Sequence, residues 1–110
     1  MADLTAATPP PPYYAVIFTS RRRAGDDGYA AAAEELVRLA AAAPGCLGAE
    51  SVREPGGAGI TVSYWESLEA IERFRADPVH AAARGRAPDW YAEYAVRVCR
   101  VERDGFRRGG

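Results

Sequence analysis

The chain has no lysine, asparagine or glutamine, one histidine, two cysteines and no apolar run near membrane-spanning length. Each absence removes a class of function. Without a run of ~20 apolar residues, a helical membrane span is excluded and no membrane partner is expected. All 14 basic side chains are arginines, set against 15 carboxylates, for a net charge of −1. A dedicated nucleic-acid binder needs a basic surface to release counterions, so no nucleic acid is expected as partner. Cys46, Cys99 and His80 are too few for an ordinary zinc ligand set, so no metal is expected. Both cysteines are expected to be reduced and partly buried. Met1–Leu4 offers neither a basic segment nor the start of an apolar one, which does not resemble a secretory leader. The cytoplasm is the expected location. The exclusive use of arginine, with abundant alanine, reads as coding bias in a GC-rich genome and warns against giving every guanidinium a role.

What remains, 110 residues of which 48% are hydrophobic, fits one globular domain. Residues 1–12 end in four consecutive prolines and read as a disordered leader. Residues 13–104 read as the folded domain and 105–110 as a disordered tail. The domain is organised around Gly59–His80, where a period-two pattern gives way to a helical one. Ile60, Val62 and Tyr64 fall on one face of a strand and Thr61, Ser63 and Trp65 on the other. Ser67 can then cap a helix with Leu68, Ile71 and Phe74 at helical spacing. An aromatic corner between strand and helix is a favourable place for a small-molecule site.

Before this joint, Tyr13–Thr19 is a continuous apolar run, as expected of a central strand. Arg21–Gly28 reads as a polar loop whose aspartates can cap a helix over Tyr29–Ala43, stopped by Pro44–Gly45. Cys46–Arg53 pairs with the Ile60 strand as a hairpin through a Pro-Gly loop. After the joint, Asp77–Pro78 starts a second, short helix ending near Gly85. Arg86–Asp89 is predicted to turn, and Trp90–Glu102 to form a long last strand. The order βαββαβ predicts an α+β fold, ferredoxin-like, with a four-stranded antiparallel sheet and helices on one face. The other sheet face also carries hydrophobes. Leaving it wet, at ~25 cal/mol per Å² of apolar area, would forfeit many kcal/mol, so a second copy is expected to cover it as a homodimer.

Tyr14–Thr19, Pro44–Gly48, Ile60–Ser67, His80, Gly85–Arg86, Trp90–Tyr91 and Arg97–Val98 together resemble the antibiotic biosynthesis monooxygenase family. The resemblance covers Tyr13–Arg103 and implies a dimeric α+β barrel with an apolar cavity between sheet and helices. It further implies oxidation of a small aromatic molecule, phenol- or quinol-like, by O2 with neither metal nor flavin as cofactor. Such chemistry needs a bound planar ring, a base and a group that stabilises the anion. The implied catalytic residues are His80 as base and Arg84, one turn on, as oxyanion holder. The implied walls of the substrate cavity are Phe18, Tyr64, Trp65, Phe74, Trp90 and Tyr91. Tyr64 and Trp65 alternate in facing, so at most one is expected inside, the other belonging to the core or the dimer contact. The competing reading is a non-catalytic dimeric module that binds or protects a small ligand. Haem degradation, known among relatives with an asparagine–tryptophan–histidine set, is disfavoured: asparagine is absent, and Phe74 and Arg84 occupy the other two places.

Overall fold

The computed structural model describes residues 4–107. The ends of the expected leader and tail, residues 1–3 and 108–110, lie outside the described residues. Strands and helices follow in the order β1 Tyr13–Arg22, α1 Tyr29–Ala42, β2 Cys46–Arg53, β3 Ala58–Trp65, α2 Leu68–Arg75, α3 Pro78–Trp90 and β4 Tyr91–Val101. The sheet order is β2-β3-β1-β4, with every neighbouring pair antiparallel. This is the ferredoxin-like α+β arrangement, with β1 central as its continuous apolar run requires. Among the described residues, no helix is long and apolar enough to cross a membrane.

The punctuation read from the sequence sets most boundaries. The Ser67 hydroxyl accepts from the Ala70 N–H at 3.0 Å, which starts α2. The Asp77 carboxylate accepts from the Val79 N–H at 2.9 Å and Pro78 follows in the first turn of α3. Asp26 accepts from the Gly28 and Ala30 N–H groups at 3.1 and 3.0 Å at the start of α1.

Two boundaries differ from expectation. β1 continues through Arg22, with a register shift between Arg21 and Arg22, because long partner strands pair with residues assigned to a loop. The helix α3 does not stop near Gly85; it runs through Pro88, so the predicted turn at Arg86–Asp89 is helical and Trp90 closes the helix. Proline at 88 removes one helical hydrogen bond. Tertiary bonds hold that last turn instead: Arg23 donates from its backbone to the Trp90 carbonyl at 2.8 Å and from its guanidinium to the Pro88 carbonyl at 3.0 Å. The Trp90 indole N–H donates to the Asp27 carbonyl at 2.9 Å.

Register divides the side chains between two faces. Tyr14 lies opposite Trp65, Val16 opposite Ser63, Phe18 opposite Thr61 and Ser20 opposite Gly59. Val98, Val96 and Tyr94 of β4 extend the Val16, Phe18 and Ser20 rows. This is the face under the helices, since Trp65, 2% exposed, packs with Ala70 and Ile71 of α2, joined by Tyr14, Val16, Ala43, Cys46 and Phe74. The apolar stripe of α1 is as expected, yet none of its residues is fully buried. That helix rides above the sheet rather than seating on it.

The opposite face carries Ala15, Ile17, Thr19, Ile60, Val62 and Tyr64, with Cys99 beside Ala15. Ile60 and Val52 are 46% and 61% exposed there. Cys99 is an exposed free thiol rather than a partly buried one, because an edge strand leaves it uncovered. At one end of this face the Ala6 N–H donates to Glu50 at 2.9 Å, Thr8 donates to the Tyr13 hydroxyl at 3.1 Å, and that hydroxyl donates to Asp104 at 2.6 Å.

Candidate functional site

The strand-to-helix joint builds a three-ring stack. Trp65 ends β3 on the helix side, and its indole N–H donates to the Ser63 hydroxyl at 2.9 Å, which fixes the ring plane. Phe74, near the end of α2, meets it at a 5.2 Å ring distance. His80, in the first turn of α3, stacks on Phe74 at 4.6 Å and 22°. The break between α2 and α3 makes this possible, because it folds His80 back over the helix that carries Phe74.

The His80 Nδ1 is buried and has no hydrogen-bond partner among the described residues. A buried, unpaired nitrogen of this kind costs free energy unless something else uses it. The imidazole is held below its usual pKa, chiefly by burial and then by the positive charge of Arg84, with the Phe74 backbone pulling the other way, Arg75 lowering it and Asp77 raising it. Near-neutral pH therefore leaves it an uncharged base.

Other expected residues are distributed as follows. Arg84 is exposed and donates to the Arg75 carbonyl at 3.1 Å. Tyr64 lies on the far sheet face, where its hydroxyl donates to Glu50 at 2.7 Å and its ring meets Tyr13 edge-on at 5.9 Å. Burial and Glu50 together push its phenol well above the ordinary value. Of the Tyr64–Trp65 pair, Trp65 is thus the residue on the helix side. Phe18, Trp90 and Tyr91 belong to a second aromatic group at the other end of the helix-covered face. Phe18 and Tyr91 are 5.2 Å apart, Tyr29 touches both Trp90 and Tyr91 at 5.7 Å, and Arg86 lies 5.0 Å over the Trp90 ring. At roughly 3.3 Å per residue, Ser20 beside this group lies on the order of 20 Å along β1 from Tyr14 beside the stack. So the structure joins Trp65, Phe74 and His80, groups Phe18, Trp90 and Tyr91 separately, leaves Tyr64 on the far face, and keeps Arg84 within electrostatic reach of His80 with its guanidinium turned to the Arg75 carbonyl.

An apolar recess of about 240 Å³ lies between α1 and α2, lined by Leu39, Ala42, Ala43, Pro44, Ala70 and Phe74 with Arg73 and Asp77. Phe74 is the one stack residue on its wall. A larger recess, about 320 Å³, lies on the far sheet face around Tyr13, Tyr64, Glu50 and Asp104, away from His80. Sequence reasoning missed Ser63, Tyr29, Ser20 and Arg53. A signal for the last existed: in the hairpin register Arg53 faces Gly59, a residue with no side chain to obstruct it. No group of three or more metal-ligating side chains occurs among the described residues.

The fold and this stack define a small ferredoxin-like α+β protein with an aromatic, histidine-bearing corner under its helices. The model of the antibiotic biosynthesis monooxygenase family matches residues 12–86. The chain belongs to that family. It is 54% identical over 69 residues to the uncharacterized protein YqjZ of Bacillus subtilis strain 168, covering 62% of this chain and 60% of that one. It therefore spans about three fifths of the length of that relative. Among solved structures it superposes on SnoaB, a cofactor-independent oxygenase from Streptomyces nogalater, with a TM-score of 0.73 and 11% identity, covering 87% and 98% of the two chains. It also superposes on Rv0793 of Mycobacterium tuberculosis with a TM-score of 0.66 and 18% identity, covering 87% and 99%. At those identities the structural likeness shows the fold alone.

Proposed function

We propose that the protein is a cofactor-independent monooxygenase that oxidises a small electron-rich phenol or quinol against the Trp65–Phe74–His80 stack, with His80 as base. The observation that carries this reading is the buried His80 Nδ1, unpaired among the described residues and stacked on an aromatic ring. Family membership supports it, as does the description of SnoaB as a cofactor-independent oxygenase. In this reaction His80 takes a proton from the substrate, and the resulting anion reduces O2. One oxygen atom joins the ring carbon and replaces its hydrogen. The other leaves as water, taking up the proton held by His80. For 1,4-dihydroxynaphthalene the balance is one quinol and one O2 in, one 2-hydroxy-1,4-naphthoquinone and one water out. Uncatalysed oxidation would instead yield the plain quinone and hydrogen peroxide.

The test is oxygen uptake with 1,4-dihydroxynaphthalene under 18O2. One labelled atom per product and no peroxide support the reading, with His80→Gln slowing the rate by roughly 10²-fold or more. Labelled product at an unchanged rate in the variant removes His80 from the mechanism.

The second reading is a non-catalytic module that binds or protects a ligand. It draws on Arg84, whose guanidinium is engaged by the Arg75 carbonyl rather than offered to an oxyanion. Thermal stabilisation by quinols without oxygen uptake would favour it. In either case we propose that two copies pair through the sheet face bearing Val52 and Ile60, whose exposed apolar surface is otherwise left to water.

A further inference from the structure

The second aromatic group contains a cation that none of the preceding chemistry uses. Arg53 ends β2, faces Gly59 across the hairpin and reaches over it into the Ser20 row. Its guanidinium donates to the Ser20 hydroxyl at 2.8 Å and to the Gly57 carbonyl. Ser20 is 5% exposed, so the charge is anchored on a buried hydroxyl. The path needs glycine at 59, because a Cβ there would come within 2.7 Å of the Arg53 guanidinium carbon.

Arg22, close by, is held differently. It lies 3.6 Å from the Tyr29 ring and its N–H groups are taken by the carbonyls of Arg23, Gly25 and Trp90. Arg22 is a strut. Arg53 stands 5.9 Å from the Tyr91 ring centre, too far for close stacking, and an arginine has five N–H donors against the two bonds described. Neither guanidinium forms an ion pair among the described residues, although arginines 21, 75, 86 and 100 all do. Both charges are felt at the Tyr91 phenol, opposing the upward push of burial and of Tyr29. A positive potential with spare donors thus sits beside the rings of Phe18, Tyr91 and Tyr94, which lie within 6.1 Å of one another.

We propose that Arg53, laid across Gly59 onto Ser20 and facing the Tyr91 ring, is the anchoring cation of a binding site for an aromatic carboxylate, separate from the Trp65–Phe74–His80 stack. The carboxylate takes the free guanidinium donors between Arg53 and Tyr91, and the ligand ring lies along the exposed edge formed by Phe18, Tyr94 and Val96. A charge-assisted, two-pronged bond is the geometry for which arginine is suited. The site does not depend on the oxygenation reading, since nothing in it touches His80.

The test compares 2-naphthoate with 2-naphthamide, which share a ring and differ in charge, by calorimetric titration and by amide chemical-shift mapping of 15N-labelled protein. The wild type is expected to prefer the acid by roughly tenfold or more, as for a hydrogen bond to a charged group, with shifts centred on Phe18, Ser20 and Tyr91. Arg53→Gln is expected to collapse that ratio towards one. Gly59→Ala, which keeps the charge but displaces it, is expected to do the same, and thermal melting establishes that each variant is folded. Equal affinity for the two probes, a ratio unchanged in folded variants, or shifts confined to Phe74 and His80 would overturn the assignment. Whether oxygen is consumed plays no part in the outcome.

Discussion

Gly45 offers a quantitative test of how the joint is held. It sits after α1 at φ 85°, and a Cβ there would lie 2.6 Å from the Ala70 Cβ and 3.0 Å from the Glu66 Cγ. Its carbonyl accepts from the Glu66 N–H at 2.9 Å, so it cannot retreat without breaking the link between α1 and the end of β3. Gly45→Ala therefore carries two costs. The left-handed backbone costs an alanine about 1–2 kcal/mol, and forcing a methyl group against Ala70 costs about 1–3 kcal/mol more. Gly28 supplies the control, because it has nearly the same φ, 80°, and nothing within 4 Å of its would-be Cβ. Gly28→Ala should show the backbone cost alone. Urea unfolding at constant m-value measures both, and the difference of about 1–3 kcal/mol is the steric part. Equal destabilisation of the two variants would refute the claim that Ala70 and Gly45 are in forced contact, and with it the account of how α2 is positioned under His80.

Four further outcomes follow. Because burial holds the His80 imidazole below its ordinary pKa of 6.5, the acid limb of the oxygenation rate should lie below pH 6.5, where the base is lost by protonation. Arg84→Gln removes a positive charge that lowers this pKa, so a pH–rate profile of that variant should show the limb moved upward; an unmoved limb excludes the electrostatic account. Ser67→Ala should cost about 1 kcal/mol in a denaturation experiment by uncapping α2, with little effect if the hydroxyl does not hold the Ala70 N–H. Val62→Glu places a charge in the middle of the sheet face proposed to pair, and light scattering should find the wild type dimeric and the variant monomeric; a variant that keeps the wild-type mass excludes that face as the seam.

Much of the architecture was legible because it depends on local punctuation. Ser67, Asp77–Pro78 and Pro44–Gly45 act within one turn of chain, and alternation along β3 separates Tyr64 from Trp65 without reference to any neighbour. The two misread boundaries share one cause. The helix continues past Pro88 and β1 past Thr19 because distant backbone groups, Arg23 on Trp90 and β4 on Arg21, supply bonds that propensity cannot anticipate. The candidate site was legible in its residue types and less so in its grouping. His80 and Phe74 meet only because two helices fold back on each other. Phe18, Trp90 and Tyr91 are gathered by sheet register at the far end, and Arg84 turns to a carbonyl that spacing cannot reveal.

The Tyr13 hydroxyl receives a bond from Thr8 and gives one to Asp104, which stands 91 positions along the chain. One oxygen thus knots together both approaches to the domain. A circular permutant that fuses those approaches through a short linker and opens the Pro55–Gly57 hairpin instead would preserve every strand neighbour. Its stability should then rest less on this phenol, and Tyr13→Phe should harm the permutant less than the parent, since the covalent splice replaces the clasp.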